Sequence, residues 1–188
     1  KKGVIKTKYN RKIKVSRVYP NKHLSNGVMW KKIRHYLCKE SYVDLDMVNS
    51  HPVILNQICI QNGIQSESLN HYIHNRKNII QEMKELYNLS REDIKEVYLT
   101  TINGGLVSTW MKKHNLTVKY DFLYEYEKEM IKIRKMIIRS NNEFIKHIPK
   151  DKRLDEKSII SYYLQEMECR ILEQVYKYLN ENEYIIDN

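Results

Sequence analysis

The sequence predicts an α+β domain that is mostly helical, with a small antiparallel sheet near its N-terminus. The 188 residues are 41% hydrophobic and 30% charged, which is typical of a globular chain that can bury a core. Polar and apolar residues alternate with period two only before residue 47, and helical spacing dominates after it. The length fits one domain or two small lobes.

Two short stretches account for the predicted sheet. Residues 3–19 alternate on both sides of Tyr9-Asn10-Arg11, which favours a hairpin with its turn there. A short helix over 29–37 follows an irregular stretch. Residues 41–46 then carry carboxylates at alternate positions, which indicates a short strand that ends at Asp46.

Helix start and stop signals order the remainder of the chain. Ser50 with Pro52 in the first turn begins one helix, and Ser90 with Asp93 in the capping-box position begins another. The polar residues 75–78 allow a break in the helix between these two. The helices are expected at about 50–62, 66–86, 90–103, 120–139 and 158–179.

The charge balance favours nucleic acid as the partner. Lys and Arg number 33 against 23 Asp and Glu, which leaves a formal charge of +10 and an isoelectric point near 9.3. Basic side chains bind a polyanion by releasing its condensed counterions. Membrane surfaces and acidic proteins remain alternative partners for a basic chain.

Several classes of protein are disfavoured. No run approaches the roughly 20 apolar residues of a membrane span, and the first residues lack the apolar core of a signal peptide. Cys38, Cys59 and Cys169 form no CxxC pair, so neither a disulfide framework nor a zinc ribbon is indicated. We therefore expect no membrane partner and a reducing intracellular compartment.

The end of the acidic strand is a candidate metal site. A strand that delivers Asp46 just before a helix can present a hard oxygen ligand for Mg²⁺ at a cleft. The alternative is that Asp44 and Asp46 are only the polar face of an edge strand and that Ser50 is only a helix cap.

The helix that begins at Ser90 is a candidate phosphate site. Arg91 and Lys95 are four residues apart and project from one helical face, which Tyr98 and Ile102 extend. Two cations placed in this way can grip adjacent phosphates, and the glycines at 104–105 permit close approach of a ligand. The alternative is an ordinary surface pair. Arg17 and Arg34, further upstream, could contact a nucleic-acid backbone or be solvated.

In this order the segments resemble family A DNA polymerases, and more closely the divergent polymerases of virophages, transpovirons and related large-DNA-virus elements. Asp46 and Asn49 fall on the strand-end Asp and the polar residue of the family's motif A. Arg91, Lys95 and Asn103-Gly104 reproduce the spacing of its motif B.

The remaining matches imply a division into three parts. Ser16-Arg17-Val18 and Ile33-Arg34 look like the family's elements on the duplex side, and Gln165 lies in a segment that resembles the helix beside the template-primer. The resemblance implies a small palm with the motif A strand over residues 1–62, helical fingers over 63–145, and a helix returning to the palm over 146–188.

The function implied by the resemblance is template-directed nucleotidyl transfer by a fragment of a larger replication protein. Asp46 and a second Asp would hold two Mg²⁺ ions, Arg91 and Lys95 would bind the triphosphate, and Lys95 would protonate the leaving group. Asn103, Gly104 and His51 would line the nucleotide site. The implied partners are a DNA template-primer, deoxynucleoside triphosphates and a fused or associated helicase, at a viral replication site in the host cytoplasm.

The chain departs from the family pattern at three places. Asn103 replaces the usual Tyr, His51 replaces a Glu that guards against ribonucleotides, and the motif C hairpin is missing unless Asp187 is its carboxylate. Three other functions stay open: a non-enzymatic basic helical module that binds nucleic acid, a fragment similar to single-subunit RNA polymerases, and a scaffold.

Overall fold

The computed structural model describes residues 9–11, 14–15, 18–20, 30–40, 43 and 45–182. The chain divides into two compact units. The first unit comprises Lys1–Val48 with Gln165–Asn188, and the second comprises Asn49–Leu164. Each unit has its own elements and is described by itself.

The first unit contains a minimal hairpin and a short helix. Strands β1 (Tyr9–Arg11) and β2 (Val18–Pro20) pair in antiparallel register, with Asn10 opposite Tyr19. Helix α1 (Lys31–Cys38) follows, as the sequence predicts within two residues at its start. The C-terminal part of the last helix, α8 (Glu156–Glu181), also belongs to this unit.

The second unit is entirely helical among its described residues. Its elements are α2 (Ser50–Gln61), α3 (Glu67–Tyr87), α4 (Arg91–Ile102), α5 (Val107–Lys113), α6 (Asp121–Ser140), α7 (Asn142–Ile145), a 3₁₀ turn at Lys150–Lys152 and the start of α8.

The helical part of the predicted fold is confirmed, but the predicted palm sheet is wrong. Within the described residues, the sheet consists only of the two three-residue strands, and the expected hairpin turn at Tyr9–Arg11 is itself strand β1. Val43, Leu45 and Asp46 lie in irregular chain, not in a strand. Val43 and Leu45 are largely exposed, so the alternation that suggested a strand buries no apolar face there.

Three tyrosine rings form the centre of the second unit. Tyr72 of α3 stacks on Tyr98 of α4 with ring centroids 4.1 Å apart, and Tyr126 of α6 meets both rings edge-on at 5.5 and 5.1 Å. Tyr98 and Tyr126 are fully buried. Aromatic pairs in these geometries contribute about 0.5–1.5 kcal/mol beyond the area they bury, so the triad joins the three helices firmly.

Helix α6 also caps two neighbouring helices. Glu129 accepts hydrogen bonds from the backbone N–H groups of Ser68 (3.1 Å) and Leu69 (2.9 Å) in the first turn of α3. Glu127 accepts one from the N–H of Val107, the first residue of α5, at 2.8 Å. These N–H groups have no partner within their own helices, and a carboxylate there also favours the helix dipole.

Two local expectations need correction. Helix α3 continues through residues 75–78, where the polar run allowed a break, because those side chains bond along the helix: Asn75 Nδ2 donates to the carbonyl of His71. Ser90 caps α4 as predicted, with its Oγ accepting from the N–H of Asp93. The N-cap of α2, in contrast, is Asn49 and not Ser50.

The hydroxyl groups of two core tyrosines provide a test of this packing. The Tyr98 hydroxyl donates to Sδ of Met83 at 3.1 Å, whereas the buried Tyr126 hydroxyl has no hydrogen-bond partner. We expect Tyr126→Phe to raise the free energy of unfolding by about 1 kcal/mol, since it removes an unsatisfied polar group. Tyr98→Phe should lower it by about 0.5–1 kcal/mol.

Urea unfolding followed by circular dichroism measures both changes. Tyr178→Phe is the control, because the Tyr178 side chain is 63% exposed on α8 and the change removes only one hydroxyl there, so stability should change little. A loss of stability in Tyr126→Phe equal to that in Tyr98→Phe would show that the Tyr126 hydroxyl has a partner in solution.

Candidate nucleic-acid interface

Arg91 and Lys95 lie on one side of α4, but the helical face that the sequence assigned to them is only partly accessible to solvent. Arg91 is exposed at the start of the helix, and Lys95 is half-buried. Tyr98 and Ile102, which the spacing placed on the same face, are fully buried in the core. The face available to a phosphate is therefore limited to the first turn and a half of α4. Phosphate binding by these two cations stays a prediction.

The chain turns directly after α4 at the glycine pair 104–105. Asn103 closes the helix by donating from Nδ2 to the carbonyl of Leu99 at 2.9 Å. Gly104 has a φ of 94°, a conformation that side chains with a Cβ rarely adopt. Gly104 is buried, and the Lys157 side chain lies against it. A nucleotide approaching this turn would meet the side chain of that lysine first.

The residues assigned to motif A lie at the boundary between the two units. Asp46 is exposed in irregular chain of the first unit, and no structural observation tests the expected Mg²⁺ site there. Asn49 begins the second unit with a φ of 59°, and its Nδ2 atom is buried without a hydrogen-bond partner. His51 is half-buried in the first turn of α2.

The residues expected on the duplex side are only partly described. Arg34 is half-buried on α1, and Gln165 is half-buried on α8. Arg17 and Asp187, the candidate second metal ligand, lie outside the described residues. The nucleic-acid contacts assigned to Arg34 and Gln165 remain predictions.

The positive charge of the protein is concentrated at one end of the chain. Residues 1–39 contain 13 Lys and Arg and no Asp or Glu, so residues 40–188 hold the other 20 cations with all 23 carboxylates. The N-terminal segment thus has a formal charge of +13 and the rest has −3. The excess of cations that could attract a polyanion therefore lies in this segment of the sequence.

Helix α1 displays part of this charge on one face. Lys32, His35, Tyr36 and Lys39 follow the spacing i, i+3, i+4 and i+7, which places them in one row, here called the α1 basic face. All four side chains are exposed, and Tyr36 is 74% exposed. The Lys39 ammonium lies 5.5 Å from the centre of the Tyr36 ring. The face therefore combines cations with an accessible aromatic ring.

Sequence reasoning selected a different residue of the same helix. Arg34 projects from the side of α1 opposite the α1 basic face, with Ile33 and Leu37 as its neighbours on the helix surface. The i, i+3, i+4, i+7 spacing of Lys32 through Lys39 is visible in the sequence. The resemblance to polymerases selected only Arg34 from this helix, because the family pattern contains a single arginine there.

One cation of the hairpin is committed to ion pairs. Arg11 donates to Glu166 at 3.0 Å and to Glu173 at 2.7 Å, and Arg170 pairs with the same Glu166 at 3.1 Å. Glu166 is 5% exposed, so two arginines compensate a buried carboxylate. Arg11 thus fastens the hairpin to the C-terminal part of α8.

The comparison with curated proteins finds a viral relative. The chain is 27% identical over 188 residues to the protein named "Putative helicase V13" of Sputnik virophage, a match that covers 94% of this chain. The chain spans about a quarter (24%) of the length of that relative. No known family matches the sequence, and no solved structure matches the chain.

These findings correct the polymerase interpretation. The relative is named as a helicase, no polymerase family matches, and the described residues contain no palm sheet. The assignment to family A DNA polymerases and the nucleotidyl transfer that it implied are therefore wrong. The motif spacings that carried the resemblance are short and degenerate. Five of the twelve residues of α4 are buried in the core: Ile94, Val97, Tyr98, Thr101 and Ile102.

Among the described residues, no helix is both long enough and hydrophobic enough to span a membrane.

The glycine turn after α4 yields a stability prediction. A Cβ on Gly105 would lie 2.9 Å from the backbone oxygen of Thr100, and one on Gly104 would add strain at its positive φ. Gly63 also has a positive φ, but no atom lies within 4 Å of its Cβ position. We expect Gly63→Ala to cost about 1 kcal/mol and the other two alanine variants about 2–3 kcal/mol.

Thermal and urea unfolding of the three variants provide the measurement. Gly63→Ala is the matched control, because it carries backbone strain without a steric clash. A loss at Gly104 equal to that at Gly63 would mean that the contact with Lys157 adds nothing to the backbone strain, and no loss at Gly105 would mean that the chain relieves the contact with Thr100.

Proposed function

We propose that this chain is a nucleic-acid-binding region of a viral protein of nucleic-acid metabolism, and that its basic N-terminal segment contacts the phosphates. The observation that carries the proposal is the segregation of charge, with +13 on residues 1–39 and −3 on the rest. The proposed function corresponds to the non-enzymatic basic module that the sequence left open, but with the phosphate contacts on the N-terminal segment instead of on Arg91 and Lys95.

Electrostatics supports this segment as the contact surface. Each phosphate neutralised by a Lys or Arg releases condensed counterions, and this term supplies nearly all of the affinity in sequence-independent binding. Carboxylates among the cations would weaken the attraction; residues 1–39 contain none in the sequence, and in the fold Arg11 is paired with Glu166 and Glu173 of α8. Lys32 and Lys39 are exposed in the first unit and are available for such contacts.

The exposed aromatic ring supports a single-stranded ligand. Proteins that bind single strands combine a basic groove with aromatic side chains on which bases stack, and every base offers a suitable ring. Tyr36 stands between Lys32 and Lys39 on the α1 basic face. A base stacked on Tyr36 would hold its flanking phosphates near these two lysines.

The relative suggests the setting in which the region works. Helicases act on nucleic acids, so a basic binding region fits a protein of that class. The 188 residues contain no G-x-x-x-x-G-K-[S/T] phosphate loop, and we therefore assign no ATP hydrolysis to them. We infer that a helicase, fused to this region or associated with it, is the partner of this chain.

The salt dependence of binding tests the role of the lysines. The chain should bind a labelled single-stranded oligonucleotide, and its affinity should fall steeply between about 50 and 200 mM salt. The double variant Lys32→Ala/Lys39→Ala should bind more weakly, with a slope of log K against log salt that is smaller by about 0.7 for each lost contact. Fluorescence anisotropy measures both quantities.

The matched control is Lys128→Ala/Lys135→Ala. These two lysines are exposed on α6, outside the basic segment, and their removal changes the net charge by the same amount. Equal losses of affinity in the two double variants would show that only net charge matters. Tighter binding to anionic vesicles than to the oligonucleotide would overturn the proposal.

The aromatic contact has its own test. Tyr36→Ala should lower the affinity for the single strand by about 1–3 kcal/mol without changing the salt slope, because stacking releases no counterions. Tyr36→Phe should retain most of the affinity. Tyr178→Ala on α8 is the control, since Tyr178 is similarly exposed at 63%. No loss in Tyr36→Ala would remove the ring from the binding surface.

A further inference from the structure

Three side chains that could bind a metal converge where α4 meets the end of α5: Asp93, Glu96 and His114. Asp93 and Glu96 are three apart on α4 and project from the same side. His114 ends α5 as its C-cap. One ligand atom from each residue lies within 4.8 Å of the others, and all three side chains are half-buried.

The helices are held so that these groups stay close. Trp110 of α5 donates from Nε1 to the backbone oxygen of Asp93 at 3.1 Å. Its ring contacts the His114 ring, with centroids 5.1 Å apart. Ser90 donates to Oδ2 of Asp93 at 2.6 Å and thereby orients that carboxylate. A site whose ligands are oriented in advance requires less reorganisation to bind an ion.

The histidine is the unusual member of the group. Its Nε2 atom is buried and has no hydrogen-bond partner, although a buried polar atom normally has one. An imidazole nitrogen next to two carboxylates is a ligand set used for Zn²⁺ and other divalent transition metals. An ion bound by the ring nitrogen that lies near the two carboxylates would compensate both negative charges.

We propose that Asp93, Glu96 and His114 form a binding site for a divalent transition-metal ion of the Zn²⁺ class. The ion would bridge the first turns of α4 to the end of α5, with water completing its coordination. Mg²⁺ fits this set of ligands poorly, because it strongly prefers oxygen donors and binds imidazole weakly. The proposal does not depend on nucleic-acid binding and concerns different residues.

Lys113 competes with the ion for Glu96. Its ammonium lies 2.7 Å from both oxygens of that carboxylate, with both side chains about half-exposed. An exposed pair of this kind contributes at most about 1 kcal/mol. A metal ion that takes Glu96 must displace Lys113, and removing the lysine should therefore tighten metal binding by about two- to fivefold.

Isothermal titration calorimetry of the whole chain with ZnCl₂ is the experiment. We expect saturable binding of one Zn²⁺. The melting temperature should rise with ZnCl₂ but not with the same concentration of MgCl₂. The affinity for Zn²⁺ should be the same with and without nucleic acid. His114→Ala should weaken binding by more than about tenfold, and Lys113→Met should tighten it. Glu96→Gln tests the site with a conservative change should His114→Ala fail to fold.

The matched control is His74→Ala. His74 is an exposed histidine on α3, three residues from His71, so these two imidazoles could also bind Zn²⁺ together. Its removal should leave Zn²⁺ binding unchanged. Absence of saturable binding overturns the proposal. Unchanged affinity in both His114→Ala and Glu96→Gln, or a loss confined to His74→Ala, does so as well.

Discussion

The stacking of Tyr72 on Tyr98, closed by Tyr126, is the contact on which the second unit depends. It joins α3, α4 and α6 in one buried cluster. Burial raises the pKa of Tyr126 well above its usual value, so the cluster stays neutral at any pH the protein meets. Because Tyr98 belongs to this cluster, α4 is fixed in rotation, and that rotation decides which of its other side chains face solvent.

The same constraint connects the fold to the candidate sites. With Tyr98 and Ile102 buried, α4 presents Arg91 at one end and directs Asp93 and Glu96 towards α5. The Arg134 guanidinium of α6 donates a hydrogen bond to the backbone oxygen of Thr101 near the end of α4. Burial lowers the pKa of this guanidinium. One face of α4 is thus committed to the core, and phosphate binding by Arg91 and Lys95, which lie outside that face, stays a prediction.

How much the sequence could predict depends on whether the signal was local. The helix start at Ser90 and the helix expected at about 120–139 follow from capping chemistry and periodicity, and both are found. The strand at 41–46 failed because a strand needs a partner that no local pattern reveals. The group of Asp93, Glu96 and His114 was equally hidden, since His114 lies 18 residues beyond Glu96 and only tertiary packing joins them.

The carboxylates of α6 have a consequence for how the second unit opens. Glu129 and Glu127 hold the first N–H groups of α3 and α5, so neither helix has a complete amino-terminal turn when α6 is detached. Loss of α6 would fray both neighbours together instead of releasing one element at a time. We therefore expect the first turns of α3 and α5 to exchange their amide hydrogens together with α6.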